Sequence, residues 1–320
     1  MNNAGSGISS RTGSKPVHAV KRKLKYNIER AKKNKVAYSL VLPYYSLFFV
    51  FTLLPVAISI IYSFTYFNIL EPPRWIGVQN YINLFLNDDV FIIALRNTLI
   101  YSLVTGPVSY IASFLFAWLI NELGRRIRTA LVLIFYTPSI GGNAYLVWKL
   151  LFSSDRYGYI NSILMRLGII TEPIQWLTNV RYIMPIMIIV SLWMSISTAF
   201  LSFVAGLQSI DKSLLEQGSV DGVSNRWQEL WFIILPTMRP MLMFGAVMSI
   251  TGSFTVASIS IELTGFPSID YAGHTIVTHL MDYGSMRFEM GYASAIATTL
   301  FVLMVSVNKI VQKLLQKVGN

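Results

Sequence analysis

The residues able to do chemistry are few. Three histidines are the first candidates, His18, His274 and His279. His274 and His279 stand five apart, but no His-Glu-x-x-His pattern and no carboxylate-rich set accompanies them. The ligand set of a hydrolytic zinc site is therefore missing, and both read as surface histidines of a polar segment. The chain has no cysteine, which removes thiol nucleophiles, disulfides and cysteine-bound metals. No glycine-rich loop ends in Gly-Lys-Ser or Gly-Lys-Thr, so nucleotide phosphates are not cradled in that way. What remains is polar but uncharged and lies inside apolar runs: Tyr136, Thr137, Asn143, Tyr145 and Trp148, then Trp193, Ser195, Ser197 and Thr198, then Thr251, Ser253, Phe254 and Thr255. Aromatic faces can cover the C–H surface of a neutral sugar while hydroxyls and amides bond its OH groups. Ordinary interhelical hydrogen bonding would use the same residues, and taken singly each fits that use better.

The elements that must position these groups are long and apolar. The 320 residues are 54% hydrophobic and 13% charged, with a mean hydropathy of +0.54. That composition lies outside the soluble globular range. Six membrane spans are predicted, at residues 38–66, 92–120, 130–151, 183–206, 241–261 and 290–309, each long enough for about 30 Å of hydrocarbon. Prolines within them predict kinks. No ionisable residue occurs in Tyr182–Ile210 or Pro240–Ile261. This weakens a proton- or sodium-coupled carrier, which often holds acids near the midplane, and an ion channel with a charged filter. The first apolar run is too long for a cleavable signal peptide and lacks a small-residue cleavage pattern after it.

The net charge of +11 does not point to nucleic acid, because the bases are dispersed between apolar runs. They set topology instead. With both termini in the cytoplasm, 19 of the 26 Lys and Arg residues fall on the inner side. Residues 1–35 read as a disordered, basic cytoplasmic segment, residues 36–315 as the membrane domain and 316–320 as a cytoplasmic tail. The basic stretch could also meet acidic lipid headgroups. Tyr159–Gly168 is amphipathic and suits the membrane surface.

One interruption stands apart. Residues 207–240 carry acids, bases and amides between two apolar runs, and such a stretch must emerge from hydrocarbon. Ser213–Gln217 is helix-compatible, Asp221-Gly222 reads as a turn, and Trp227–Ile234 is helical again. A plain inter-span loop is the simpler reading, but a helix–turn–helix on the membrane face is a docking element. With Glu216, Asp221-Gly222 and the closing Ile233-Ile234-Leu235-Pro236, and with Ala205–Ile210 before them, the stretch resembles the EAA loop of binding-protein-dependent ABC importer permeases of the carbohydrate branch. Gln217 and Gly218 replace two alanines of that pattern, Asp211 stands where proline is usual, and one extra residue precedes Arg226.

The resemblance implies an all-α polytopic fold with six transmembrane helices, like that of maltose-transporter permeases. It implies a subunit that translocates a carbohydrate, an oligosaccharide above all, across a bacterial cell membrane. The implied partners are a second permease subunit in a heterodimer, two ATPase subunits that bind ATP and magnesium, and an extracytoplasmic solute-binding protein. ATPase coupling would fall to Glu216, Asp221, Gly222, Arg226 and Trp227. The substrate path would include Trp193, Ser195, Thr198, Ser253 and Phe254. Other readings stay open: the same machinery for another solute such as glycerol phosphate, a secondary transporter without an ATPase, or a membrane protein that transports nothing.

Overall fold

The computed structural model of the chain describes residues 34–140, 144–195 and 198–316. The predicted disorder of 1–35 lies almost wholly outside them, as do Gly141, Gly142, Asn143 and Ser197 and the side chain of Thr198. Two units are distinguished, up to Ile58 and from Ser59 onward. The first holds most of helix α1, Lys35–Tyr62. A π-helical turn, Phe49–Leu53, lies just before Pro55 in α1. Proline lacks the N–H for the usual bond and its ring crowds the carbonyl four residues back, so a wider turn relieves both defects.

The second unit begins with a two-stranded antiparallel hairpin, β1 Thr65–Tyr66 and β2 Arg74–Trp75, with Thr65 opposite Trp75. Helix α2, Gln79–Leu86, leads into α3, Asp89–Asn121. Asp88 caps α3, its carboxylate accepting the Phe91 N–H at 2.8 Å. At 33 residues α3 is about 50 Å long by helical rise, more than the hydrocarbon needs. Its buried stripe of Thr98, Ser102, Thr105, Gly106, Ser109 and Ser113 lets neighbouring helices approach closely.

Helices α4 (Arg125–Ile140), α5 (Ala144–Leu151) and α6 (Tyr159–Arg166) follow. Then come α7 (Val180–Met194), α8 (Thr198–Gln208), α9 (Lys212–Val220) and α10 (Arg226–Glu229). The chain continues through α11 (Arg239–Phe254), α12 (Ser258–Thr264), α13 (Ile276–Met281) and α14 (Met290–Leu315). α7 with α8 and α11 with α12 each form one long apolar stretch, Val180–Gln208 and Arg239–Thr264.

The fold is all-α across the membrane, but the count of six spans is corrected. Among the described residues five helices are long and apolar enough to cross: Lys35–Tyr62, Asp89–Asn121, Val180–Gln208, Arg239–Thr264 and Met290–Leu315. The span predicted at 130–151 falls on α4 and α5, of 16 and 8 residues. Neither alone reaches the roughly 20 residues that a crossing helix needs. Residues 141–143 between them lie outside the described residues.

Three packed cores hold the second unit. One joins α3, α8 and α11 around Phe114, Trp118, Phe203 and Leu242. A second joins α7 and α12 around Ile183, Met187 and Leu263. A third joins α2, α3, α11, α13 and α14 around Phe91, Phe254, Ile276 and Ile296. α11 meets α8 closely because Gly245 lacks a side chain, and a Cβ there would lie 2.3 Å from Phe203 Cζ.

Candidate functional site

The interruption at 207–240 forms a helical elbow. Asp211 caps α9, its carboxylate accepting the Ser213 N–H at 3.0 Å, and the bonds to Ser213 draw its pKa downward from the ordinary value. The unusual residue at 211 thus does a capping task. α9 ends in a Schellman motif. Val223 N–H donates to Gly218 O at 2.9 Å and Gly222 N–H to Ser219 O at 3.4 Å. Gly222 takes φ +96° with nothing within 4 Å of a would-be Cβ, so its backbone shape requires glycine and its surroundings do not. Gly218 is constrained the other way. It is buried, and a Cβ there would lie 2.3 Å from Ile233 Cδ1. The turn is closed by main-chain bonds, including Asp221 N–H to Gln217 O at 2.9 Å.

The return limb starts at Asn225, whose side chain accepts the Gln228 N–H at 2.9 Å. Gln228 in turn accepts the Ser224 N–H at 3.0 Å. A π turn, Leu230–Ile234, again lies just before a proline, Pro236. Arg226 bonds Glu229 at 2.9 Å and reaches Glu122 at the end of α3 at 3.5 Å. The Glu229 bond and charge, with Glu122 behind them, push the guanidinium pKa up. These pairs are exposed, so they orient the limb more than they stabilise it. The Trp227 ring lies 5.3 Å from that of Trp118. Leu230 and Ile234 enter the core of Phe114, Trp118 and Phe203. Glu216 lines the concave side of the elbow with Arg226, Glu229 and Asn225, a cavity of about 600 Å³. The structure therefore brings Glu216 and Arg226 to one hollow, Gly222 to the turn beside it, and Trp227 to the joint with α3. Val220 at the turn and Trp231 and Phe232 on the return limb are exposed at 88%, 65% and 66%, large apolar side chains left without cover.

The second site is a cavity of about 280 Å³ further along the same helices. It lies beside the end of α7 at Met194 and Ser195, and where α11 ends at Phe254 and α12 begins at Ser258. Hydroxyls dominate its wall: Tyr101 and Thr105 from α3, Ser191 from α7 and Ser195 at its end, Ser253 from α11 and Ser258 from α12. No carboxylate, ammonium or guanidinium is among the lining groups. Tyr101 donates to Ser191 Oγ at 2.6 Å, and Ser253 donates to Ile250 O at 2.9 Å. Of the residues expected on a path, Ser195 and Ser253 share this wall. Phe254 points elsewhere, buried against Phe91, Ile276 and Ile296. Trp193 is 47% exposed and packs edge-on to Trp148 at 5.3 Å.

The two histidines are not on the surface, which corrects that expectation. His274 and His279 are 3% and 1% exposed. His279 Nε2 lies 3.0 Å from Asp88 Oδ2, and its Nδ1 lies 3.3 Å from His274 Nε2. Tyr292 donates to the same Asp88 oxygen at 2.8 Å. Burial pushes the Asp88 carboxyl up, but the bonds from His279, Phe91 and Tyr292 outweigh it and hold the pKa at about 2. Burial, with His279 beside it, lowers His274 to about 4. An ionised Asp88 accepts only, so the His279 Nε2 that faces it is the donor of that bond. Asp88 is 191 residues from His279, and no local pattern announces the pair. Among the described residues no group of three or more His, Asp and Glu side chains is placed to hold a metal ion.

Residues 30–319 match the protein family described as binding-protein-dependent transport system inner membrane component. The chain is 32% identical to the probable ABC transporter permease protein YesP of Bacillus subtilis, over 85% of this chain and 87% of that one. It is 30% identical to the arabinooligosaccharides transport system permease protein AraP of the same organism, over 88% and 89%. Its fold resembles a chain of a bacterial ABC transporter involved in the import of the acidic polysaccharide alginate, with TM-score 0.73 and 24% identity over 92% of this chain and all of that one.

Proposed function

The chain belongs to the family of binding-protein-dependent transport system inner membrane components, and from that membership and its two sites we infer how it works as the permease subunit of an ABC importer. The elbow, with Glu216, Asp221, Gly222, Arg226 and Trp227, docks an ATPase subunit on the cytoplasmic side. The excess of Lys and Arg on the segments assigned to the same side, most of it in the amino-terminal segment, supports that orientation, with both termini inside. The ATPase subunits bind ATP and magnesium and carry out the hydrolysis. A second permease completes the membrane assembly, and a solute-binding protein delivers at the outer face.

One observation carries the reading. The elbow joins α8 to α11, and the cavity lies at the far end of α11, where the helix is interrupted before α12 and faces the end of α7. Leu230 and Ile234 of the return limb are buried among Trp118, Phe203 and Leu242, so a displaced elbow takes the ends of α3, α8 and α11 with it. ATP-driven motion at the dock thereby biases two arrangements of the cavity wall, a two-state linkage. The solute is a carbohydrate. A hydroxyl-rich wall without ionised groups suits a neutral polyol, and one relative is named for arabinooligosaccharides. Ser195 and Ser253 are the path residues with a cavity position.

Purification of the complex from membranes, followed by ATPase assays with the binding protein and a sugar panel, tests this. An ATPase subunit that copurifies, and hydrolysis stimulated by one or a few oligosaccharides, are expected. Failure of any ATPase to copurify would sink the docking role. Stimulation by an anion such as glycerol phosphate, with none by sugars, would sink the carbohydrate assignment.

A further inference from the structure

An interrupted helix leaves main-chain carbonyls without partners, and inside a membrane each needs another donor. Between α11 and α12 the Val256 carbonyl has one. Thr275 Oγ1 donates to it at 2.8 Å. Thr275 is fully buried, and it belongs to a strap, residues 271–279, tied firmly to the start of α3. Asn97 Nδ2 reaches the carbonyls of Tyr271, Ala272 and His274 at 2.9, 3.3 and 3.0 Å. Ile276 N–H donates to Thr98 Oγ1 at 2.9 Å. Asp88 holds His279, and through it His274. A continuous set of hydrogen bonds therefore runs from α3 to the cavity wall, and its last link is one hydroxyl.

We propose that Thr275 is a positioning residue of the solute path: its hydroxyl, held by the strap, latches the Val256 carbonyl and so sets the gap between α11 and α12 that walls the cavity. The histidine pair and Asn97 fix the strap, while Thr275 is the releasable contact. A single neutral bond of this kind is weak enough to open and close within a transport cycle. The consequence for transport rests on the cavity being the solute path. The latch itself rests only on the geometry.

The absence of cysteine makes the test direct. Ser258→Cys places one thiol on the cavity wall beside the gap. Its modification by a charged, membrane-impermeant thiol reagent is timed in the assembled complex, in right-side-out vesicles. Thr275→Val removes the latch, and the rate should rise about threefold to tenfold, the range that loss of one such bond allows. Thr275→Ser keeps the hydroxyl and should restore the original rate. Thr278→Val removes the reciprocal cap of α13, in which Thr278 Oγ1 accepts the Thr275 N–H at 2.8 Å, but leaves the Val256 bond. It should not raise the rate. Unchanged labelling in Thr275→Val, or an equal rise in Thr278→Val, overturns the latch. Should Thr275→Val fail to assemble, Asn97→Ala, which frees the strap, must raise the rate for the latch to stand. Labelling needs neither sugar nor nucleotide, so its failure is separable from failure of sugar-stimulated ATP hydrolysis.

Discussion

Substitution at Gly222 separates two reasons why a glycine could be needed in the elbow. The residue sits at φ +96°, and no atom lies within 4 Å of a would-be Cβ. The constraint is therefore in the backbone, not in crowding. An L-residue in the left-handed region costs about 1–2 kcal/mol, which lowers the population of the native turn by about fivefold to thirtyfold. Gly222→Ala and Gly222→Leu should pay that strain equally, because a larger side chain meets nothing more. Gly222→Asn should suffer least, since asparagine tolerates this conformation and is found at helix C-termini. The assay is binding of the ATPase subunit to the solubilised permease, with uptake measured in parallel. Ala and Leu variants should lose affinity by the same factor, and Asn by clearly less, with the protein still inserted. Wild-type binding by Gly222→Ala would refute the strain argument. A Leu variant far worse than Ala would also refute it, by showing that position 222 packs directly against the partner.

Three further outcomes follow from the same geometry. Gly218→Ala should weaken the elbow because its Cβ would strike Ile233 Cδ1, and Ile233→Val, which removes that methyl group, should rescue it; equal ATPase affinity in the single and double variants would contradict the packing account. His274 has its pKa lowered to about 4 from an ordinary 6.5, so the unfolded chain binds the extra proton first as pH falls. Thermal stability should accordingly rise with pH between about 4 and 6.5 by up to about 3 kcal/mol and then level off. The contribution of Asp88, held at about 2, is lost only as pH falls from 3.8 through that value. Melting curves of the wild type and His274→Gln check this, the variant losing the slope above pH 4. Finally, Ser253→Asp would put a charge on the cavity wall opposite Gly106, where Ser253 Oγ lies 3.1 Å from a would-be Cβ. Uptake of a neutral sugar should fall sharply while ATPase binding at the elbow stays normal, and unimpaired uptake would remove Ser253 from the path.

What the sequence disclosed and what it hid divide along the range of the interactions involved. The elbow was legible because its determinants are local. Asp211 caps within two residues, and the Schellman bonds at Gly218, Ser219, Gly222 and Val223 span five. A residue that departed from the family pattern, Asp211, turned out to perform a capping task that its chemistry suits. The histidines were misread because their burial depends on Asp88, brought beside them by the packing of α3 against α13. The interruption at 255–257 was equally hidden. Residues 241–261 read as one continuous span, with no proline near the break and hydroxyl and β-branched residues that a helix would accept. The helix stops there although nothing local requires it, and the Val256 carbonyl is supplied with a donor by Thr275, 19 residues on. The same logic explains Phe254. Hydropathy places it in a span beside Ser253, but successive helical residues point about 100° apart. Ser253 thus turns to the cavity while Phe254 turns to the core of Phe91 and Ile296. Periodicity can rank the faces of a helix, yet only the neighbours decide which face meets the cavity. The residues that shape the cavity wall are therefore those whose partners lie far away in the chain, and the proposed latch at Thr275 is the place where that dependence is most exposed to experiment.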